Sequence, residues 1–425
     1  MDLILRGGNL PDGRTGVDIG IKDGRIAAVE PKLAAKGRHE INVAGRLVSP
    51  PFVDAHFHMD ATLSYGFPRI NTSGTLLEGI ALWGELKPHL TVEEIADRAL
   101  TYCDWAVARG LLAIRSHVDI CDDRLVAVEA LLAVREQVKA HIDLQLVAFP
   151  QDGYLRAPNA VDNLARALDM GVDVVGGIPH FERTMADGAD SVRALCEIAA
   201  ARSLRVDMHC DETDDPMSRH VETLAAETRR LGLQGRVTGS HLTSMHSMDN
   251  YYVSKLIPLM AEAELSVVAN PLVNIVIQGR HDIYPKRRGM TRVPELMDAG
   301  LTVAFGQDCC MDPWYPLGSA EMLEVAHMGL HVAMMTGSDA MRACFDAVTV
   351  NAAKIMGLEG YGIAPGNHAD LVVLQAGNPV EAIRLRATRL YVLRRGRIIA
   401  RTPPTAASLD MPGRPPDVDF MRAAN

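Results

Sequence analysis

The sequence predicts an α/β protein whose main domain is an eight-stranded parallel barrel of the (β/α)8, or TIM-barrel, type. Eight short apolar runs recur along the middle of the chain, and the segments between them have helical spacing. Several runs end at residues that can bind a metal ion or transfer a proton. The strands of such a barrel all end at one face, where the active site lies, so the barrel is preferred over an open doubly wound sheet.

The eight predicted strands are short and apolar and lie between helical segments. They cover residues 53–58, 112–117, 144–149, 172–176, 204–209, 236–241, 265–270 and 301–308. One helix begins at Thr91, where Glu94 three residues later completes a capping box. Four apolar residues on one face of this helix are expected to point into the core: Ile95, Ala99, Tyr102 and Ala106.

Both ends of the chain have the pattern of β-structure. Residues 17–21 alternate apolar with other residues, and Asp23-Gly24 is a hairpin turn sequence. A similar pattern recurs over residues 369–374 and 391–399. We therefore expect residues 1–50 and 362–402 to form one small β-sandwich domain and residues 51–361 to form the barrel. The Pro-rich residues 403–425 are expected to be an extended C-terminal tail.

Composition limits the partners and the location of the protein. The chain has 425 residues, of which 48% are hydrophobic and 23% charged, as in a globular protein with a large core. A net charge of −10 argues against a nucleic-acid partner. The seven Cys lack C-x-x-C spacing, which indicates a reducing compartment. No apolar run approaches the length of a membrane span. We expect a cytoplasmic protein with no membrane partner.

Four residues at the predicted strand ends have the chemistry of metal ligands. His56 and His58 are two apart, so both imidazoles point to one face of the first strand. His209 ends the fifth strand, and Asp308 ends the eighth, where its carboxylate would balance the charge of a cation. A core position for His209 and a helix N-cap for Asp308 are the alternatives. We predict that all four bind one divalent ion.

Two further residues remain available for proton transfer. Glu212 follows His209 by three positions, which suits a base that takes a proton from water and later delivers it to a leaving group. His241 ends the sixth strand and is either a further ligand or a group that polarises water and substrate. The second role is preferred. His117 could support a ligand or simply be buried, and it is left unassigned.

The strand ends together resemble the amidohydrolase superfamily, and longer strings resemble the bacterial-type cytosine deaminases. The similarity covers nearly the whole chain, and the strings that carry it are GTLLEGI at 74–80, FPQ at 149–151, HCDE at 209–212, ANPLVN at 269–274, YPKRRG at 284–289 and DPWYPLG at 312–318. The resemblance implies a single iron(II) or zinc ion, because the fourth strand ends GGIPH without the lysine of binuclear members. It also implies a homo-oligomer.

By the same resemblance, four residues contact the substrate. Gln151 would hydrogen-bond the amide edge of a ring, Trp314 and Leu76 would line the pocket, and Cys309 would lie near C5 of a pyrimidine. The H-x-E and P-C-x-x-C signature of nucleic-acid deaminases is missing, so the expected substrate is a free base. The implied reaction is hydrolytic deamination of cytosine to uracil and ammonia, assisted by Glu212, His241 and Asp308.

Two positions beside Asp308 depart from the cytosine deaminase pattern. Cys309 stands where a second acid usually follows the metal-binding Asp, and Gln307 stands where a His is usual. A thiol is smaller than a carboxylate and uncharged, so it would accept a methyl group. We therefore predict that 5-methylcytosine, giving thymine, is favoured. The alternatives are a hydrolase of isocytosine, creatinine or an aminotriazine, and a metal-free scaffold, which the intact ligand set disfavours.

Overall fold

The N-terminal part of the chain forms five short strands. The computed structural model describes residues 1–421. The first five strands are β1 (Leu3–Gly8), β2 (Val17–Lys22), β3 (Arg25–Pro31), β4 (His39–Asn42) and β5 (Leu47–Ser49). Asp23 and Gly24 have left-handed φ angles of 50° and 75° and make the two-residue turn from β2 to β3. The predicted hairpin is therefore present.

Eight parallel strands follow, and each is hydrogen-bonded to the next in chain order. They are β6 (Phe52–Phe57), β7 (Leu111–Asp119), β8 (Asp143–Phe149), β9 (Val174–Gly177), β10 (Arg205–Cys210), β11 (Val237–His241), β12 (Ser266–Ala269) and β13 (Thr302–Phe305). The barrel closes beside β6, where Phe57 and Asp308 form a parallel bridge. The predicted (β/α)8 barrel is confirmed.

Helices lie between the barrel strands. They are α1 (Leu76–Leu86), α2 (Val92–Ala108), α3 (Val126–Val138), α4 (Ala160–Asp169), α5 (Met185–Arg202), α6 (His220–Arg230), α7 (Asn250–Glu262), α8 (Pro271–Ile277), α9 (Val293–Asp298), α10 (Met322–Val332), α11 (Ser338–Asp346) and α12 (Val350–Met356). The predicted capping box of α2 is present: the Thr91 and Glu94 N–H groups each donate to the other's side chain at 3.2 Å. The four predicted core residues of α2 are fully buried. Within residues 1–421, no helix is long and apolar enough to cross a membrane.

The C-terminal part returns to β-structure. It contains β14 (Leu371–Leu374), α13 (Pro379–Leu385), β15 (Arg389–Arg394), β16 (Arg397–Arg401), β17 (Ala407–Ser408) and β18 (Asp417–Val418). One sheet contains β1–β4, and a second contains β5 with β14–β16. Buried side chains of both sheets, such as Leu5 and Val373, belong to one apolar cluster. We call these two sheets the small β unit. Its predicted limits, 1–50 and 362–402, stay a prediction.

The C-terminal tail, expected over 403–425, is less extended than its Pro content suggests. Residues 403–420 are almost entirely exposed, but β17 and β18 pair as a short antiparallel ladder. The chain reverses at Gly413, whose φ of 75° is left-handed. Residues 422–425 of the predicted tail lie outside the described residues.

The eighth barrel strand ends earlier than predicted. It stops at Phe305, so Asp308 lies three residues beyond it rather than on it. The chain leaves the strand at Gly306, where an added Cβ would come within 2.4 Å of the Asn270 side chain. Asp308 then takes a left-handed φ of 65°. This irregular segment, and not a regular strand, carries the predicted ligand.

Candidate active site

The four predicted metal ligands converge at the mouth of the barrel. The Nε2 atoms of His58 and His209 lie 2.9 Å apart. Asp308 Oδ1 lies 3.3 Å from His56 Nε2 and 3.5 Å from His58 Nε2. None of the four side chains is more than a tenth exposed. Residues that are 252 positions apart in the chain therefore present their donor atoms to one point.

Unusual backbone conformations place the polar side chains at this mouth. Asp211, His241 and Asp308 have left-handed φ angles of 52°, 71° and 65°. Side chains other than glycine rarely adopt this region, and each such residue costs about 1–3 kcal/mol unless its surroundings hold it. The three residues follow or end barrel strands on the face where active sites of this fold lie. The strain therefore coincides with the predicted site.

Asp54 and Gln307 hold the segment that contains Asp308 against β6, the first strand of the barrel. Asp54 Oδ1 accepts the N–H groups of His56 at 3.2 Å and of Gln307 at 3.1 Å. The Gln307 side-chain amide donates to the Cys309 carbonyl oxygen at 3.2 Å. In addition, the Asp308 N–H donates to the His56 carbonyl oxygen at 2.9 Å. These hydrogen bonds secure the left-handed turn where the barrel closes.

His241 lies beside the four ligands, and its hydrogen bonds indicate its role. The Asn274 side-chain amide donates to His241 Nδ1 at 2.9 Å, and Asn274 Oδ1 accepts the Asn270 N–H at 3.2 Å. Since Nδ1 is an acceptor, the proton of a neutral imidazole is on Nε2, which lies 3.2 Å from His56 Nε2. His241 thus presents a hydrogen-bond donor to the cluster. This agrees with a polarising role better than with a fifth ligand.

The electrostatics of the cluster fit a divalent cation. Burial lowers the pKa of the His56, His58, His209 and His241 imidazoles below the ordinary histidine value, so all four are neutral, the form that ligates metals. One donor atom from each of His56, His209, His241 and Asp308 falls within 4.8 Å of all the others, so this closest group contains His241 in place of the predicted ligand His58. A close group of neutral nitrogens with one carboxylate matches the ligand chemistry of transition metals.

Glu212 lies next to the ligands and takes the place predicted for a proton carrier. Its Oε1 is 3.3 Å from His241 Nδ1, and the residue is 5% exposed. Burial, together with the negative charge of Asp308, raises the pKa of the Glu212 carboxyl well above its ordinary value. A carboxyl group in this environment holds a proton at neutral pH and can donate it to a bound ring.

A cavity of about 400 Å³ opens directly above this cluster. Its floor includes His58, His209, Glu212 and Asp308. The four residues predicted to contact the substrate all line its wall: Leu76, Gln151, Cys309 and Trp314. The volume lies within the range for small-molecule sites, so a single ring would fit with space to spare.

Several residues of the site were missed by sequence reasoning. His117, left unassigned above, lies directly behind a ligand: its Nε2 is 3.1 Å from His56 Nδ1. A hydrogen-bond partner on the ring nitrogen that does not bind the metal fixes the orientation of a metal-binding imidazole. Asp54, Gln307 and Asn274 had no assigned structural role, although Asp54 precedes His56 by two positions and Asn274 is in one of the resembling strings.

Comparisons with known proteins agree with this geometry. A model of the amidohydrolase family matches residues 39–400. The crystal structure of 5-methylcytosine deaminase from Klebsiella pneumoniae liganded with 5-fluorocytosine is 42% identical, with a TM-score of 0.92, over 94% of this chain and 98% of that one.

Two characterised relatives act on other ring systems, as their names state. N-isopropylammelide isopropyl amidohydrolase of Pseudomonas sp. strain ADP is 30% identical over 407 residues, 94% of this chain and 97% of that protein. Pterin deaminase of Rhizobium rhizogenes is 29% identical over 405 residues, 94% and 91% of the two chains. The chain therefore belongs to the amidohydrolase family and is a hydrolytic enzyme that acts on a carbon–nitrogen bond.

Proposed function

We propose that this enzyme deaminates a free pyrimidine base, converting 5-methylcytosine to thymine and, less efficiently, cytosine to uracil, with release of ammonia. The proposal is supported by the similarity to a 5-methylcytosine deaminase over almost the whole chain. The observation that carries the substrate preference is Cys309, which follows Asp308 directly and lines the cavity.

Cys309 gives this part of the cavity wall a small, uncharged surface. The residue is 3% exposed, and burial raises the pKa of its thiol well above the ordinary value, so it stays protonated. Burying a methyl group against such a surface contributes about 0.8 kcal/mol, close to fourfold in kcat/KM. A carboxylate at the same place would lose hydration beside the methyl group, which adds to the preference.

The metal site accounts for the nucleophile. His56, His58, His209 and Asp308 would hold a divalent ion, which would supply the Lewis acidity that lowers the pKa of water from about 15.7 toward 7. Asp308 accepts a proton from the attacking water, and the His241 Nε2–H stabilises the oxygen that adds to C4. Glu212 donates its proton to ring N3 and so makes C4 more electrophilic. The C4–N4 bond then breaks as C4 becomes a carbonyl: Asp308 returns its proton to the amino group, which leaves as ammonia, and the hydroxyl proton passes to Glu212.

Recognition of the base is assigned to the cavity wall. The Gln151 amide can both donate and accept, which matches the neighbouring O2 and ring N–H or N positions of a pyrimidine. Leu76 and Trp314 provide apolar surfaces for the ring.

The proposal extends to the ion, the assembly and the location. Iron(II) and zinc both suit three imidazoles and one carboxylate, and metal analysis of the purified protein distinguishes them. We also propose a cytoplasmic homo-oligomer with a small-molecule pyrimidine base as its partner and without nucleic-acid or membrane partners. These points rest on the family resemblance and on the composition.

An aminotriazine is the second candidate substrate. It is favoured by the 30% identity to an N-isopropylammelide hydrolase over nearly the full length of both proteins. Isocytosine and creatinine carry similar carbon–nitrogen bonds. A screen for released ammonia or amine over these compounds, with cytosine and 5-methylcytosine, tests the substrate class. Turnover of N-isopropylammelide above both pyrimidines would contradict the proposal.

The preference for the methylated base is tested at Cys309. Cys309→Asp should lower the ratio of kcat/KM for 5-methylcytosine to that for cytosine by about tenfold, from lost methyl contact and added charge. Cys310→Ala is a matched control, because Cys310 is also a buried thiol but is not among the described residues that line the cavity. An unchanged ratio in Cys309→Asp would show that this side chain does not select the 5-substituent.

A further inference from the structure

We propose that Lys87 and Asp119 are positioning residues that hold two parts of the wall of the base pocket, Gln151 and Trp314, at a fixed separation. This inference rests on the proposed function in one respect, the assignment of those two walls to substrate binding. With Trp83 and Asp152 they form what we call the Asp119 network. All four members lie outside the set of described residues that line the cavity, so they act through other residues.

Asp119 is the centre of the network. It is the last residue of β7, and its Oδ2 accepts the Trp83 indole N–H at 2.7 Å and pairs with Lys87 Nζ at 2.7 Å. Its Oδ1 accepts the Cys121 N–H at 2.7 Å. Trp83, Lys87 and Asp119 are 2%, 9% and 4% exposed. One carboxylate therefore joins the end of a barrel strand to the C-terminal turn of α1.

Lys87 extends the network to the wall that carries Gln151. Its Nζ lies 2.6 Å from Asp152 Oδ2, and Asp152 directly follows Gln151 in the loop after β8. The same loop is held further on by Glu182, whose Oε1 accepts the N–H groups of Tyr154 at 2.6 Å and Leu155 at 3.1 Å. The Lys87 ion pair thus holds the side chain of Asp152, the residue next to Gln151, and the Asp152 N–H also donates to Cys121 Sγ at 3.4 Å.

Trp83 connects the network to the part of the wall that carries Trp314. Its ring centroid lies 5.9 Å from that of Trp314. One turn earlier in α1, an added Cβ on Gly79 would come within 2.3 Å of Trp314 Cδ1, so the helix backbone itself supports the Trp314 ring. A shift of α1 at its Lys87 end would therefore be transmitted to Trp314.

The charges explain why this arrangement is rigid. Lys87 is one cation between two carboxylates, Asp119 and Asp152, both within 2.7 Å of its Nζ. Without the ammonium group the two carboxylates repel, and the more exposed one, Asp152, is free to swing into solvent with its loop. Gln151 would then lose its orientation toward the ring, while the metal ligands and Glu212, which lie on other strand ends, would stay in place.

The test separates binding from chemistry. Lys87→Met should raise KM at least tenfold while kcat changes less than threefold, because the ring is held less well but the reacting groups are intact. Asp152→Asn weakens the same ion pair from the other side. Because the Asp152 side chain is 41% exposed, this variant tests the positioning role even if Lys87→Met folds poorly. It should raise KM about threefold to fivefold.

Arg394→Met provides the matched control. Arg394 is also a buried cation between two aspartates, Asp143 at 2.7 Å and Asp370 at 3.0 Å, but it joins the barrel to the small β unit. It is outside the described residues that line the cavity. Its substitution should lower the thermal midpoint as much as Lys87→Met and leave KM unchanged.

Kinetics are measured with whichever compound the wild type converts fastest among 5-methylcytosine, cytosine and N-isopropylammelide. The identity of that compound decides the proposed function, and the KM comparison decides the role of the network, so the two can fail separately. A raised KM in Lys87→Met and Asp152→Asn with an unchanged KM in Arg394→Met supports the inference. An unchanged KM in both network variants, or an equal rise in the control, overturns it.

Discussion

The small β unit and the barrel mouth both contain left-handed residues beside strands, but in the hairpin turns of the small β unit each such residue, Asp23 or Arg395, is followed by a left-handed glycine. In the small β unit, the two hairpin turns place glycines, Gly24 and Gly396, at φ angles of 75° and 72°. At the mouth, His241 and Asp308 take angles of 71° and 65°. Glycine accepts this conformation without steric cost, whereas His and Asp do not.

The difference shows where each region gets its geometry. A glycine turn follows from local preference, and the strands on either side pair in register around it. The mouth residues are held by the surrounding structure, such as the hydrogen bonds from Asp54 and Gln307. Buried polar atoms without partners also concentrate at the mouth, among them His209 Nδ1 and Asn270 Oδ1. Local strain and unpartnered polar groups are expected where the structure serves a reaction and not stability.

Substitution at the mouth should therefore affect activity far more than stability, and the largest effect is expected at Glu212. Glu212→Gln removes the transferable proton and should lower kcat by about 10³-fold. Metal content and the free energy of unfolding should stay near those of the wild type. Asp214→Asn, which changes another acid lining the cavity, serves as the control and should alter kcat less than threefold. A Glu212→Gln enzyme with nearly normal kcat would contradict the proton-transfer role.

His117 should affect metal affinity through its contact with His56. His117→Phe keeps an aromatic ring but removes the nitrogen that lies 3.1 Å from His56 Nδ1. The expected result is about tenfold to 100-fold weaker metal binding, measured by competition with a chelator. Unchanged affinity would show that His56 is oriented without this partner.

The small β unit should give the opposite result. At Gly396 an added Cβ would lie 2.7 Å from Ile21 Cγ2, and the φ of 72° disfavours any side chain. Gly396→Ala should lower the free energy of unfolding by about 1–3 kcal/mol, with kcat/KM per folded molecule unchanged. Denaturant titration measures the free energy of unfolding, and active-site titration gives kcat/KM per folded molecule. A change in KM would mean that the small β unit communicates with the mouth.

The smallest effect is expected at the cap of α2, on the outside of the barrel. Thr91→Ala removes the acceptor for the Glu94 N–H and should cost about 1 kcal/mol of unfolding free energy. Activity at 25 °C should not change. A loss well above this value would indicate that α2 contributes to the barrel through more than its capping box.

Most of the fold could be predicted because its signals are local. The alternation around Asp23-Gly24, the capping box at Thr91 and the apolar runs of the barrel each follow from neighbouring residues. The positions of the proposed ligands could also be predicted, because His56, His58 and His209 lie within or beside regular strands. Asp308 was predicted as a ligand, but its position beyond the strand was not.

The remainder could not be read from the sequence, since it depends on contacts between distant residues. Lys87 and Asp119 are 32 positions apart, and neither is in a recognisable motif. The tautomer of His241 depends on Asn274, which is on α8, beyond the next helix and strand. Left-handed angles at His241 and Asp308 have no local signal, because neither residue type demands them.

The central claim is that a single ion, bound by three imidazoles and Asp308, is required for deamination. Metal content and ammonia release from 5-methylcytosine should be measured on the same preparations of wild type and Asp308→Ala. We expect one iron or zinc ion per wild-type chain and activity proportional to that metal content. The Asp308→Ala variant should lose both the metal and the activity. Full deamination by metal-free wild type, or by Asp308→Ala, would contradict it.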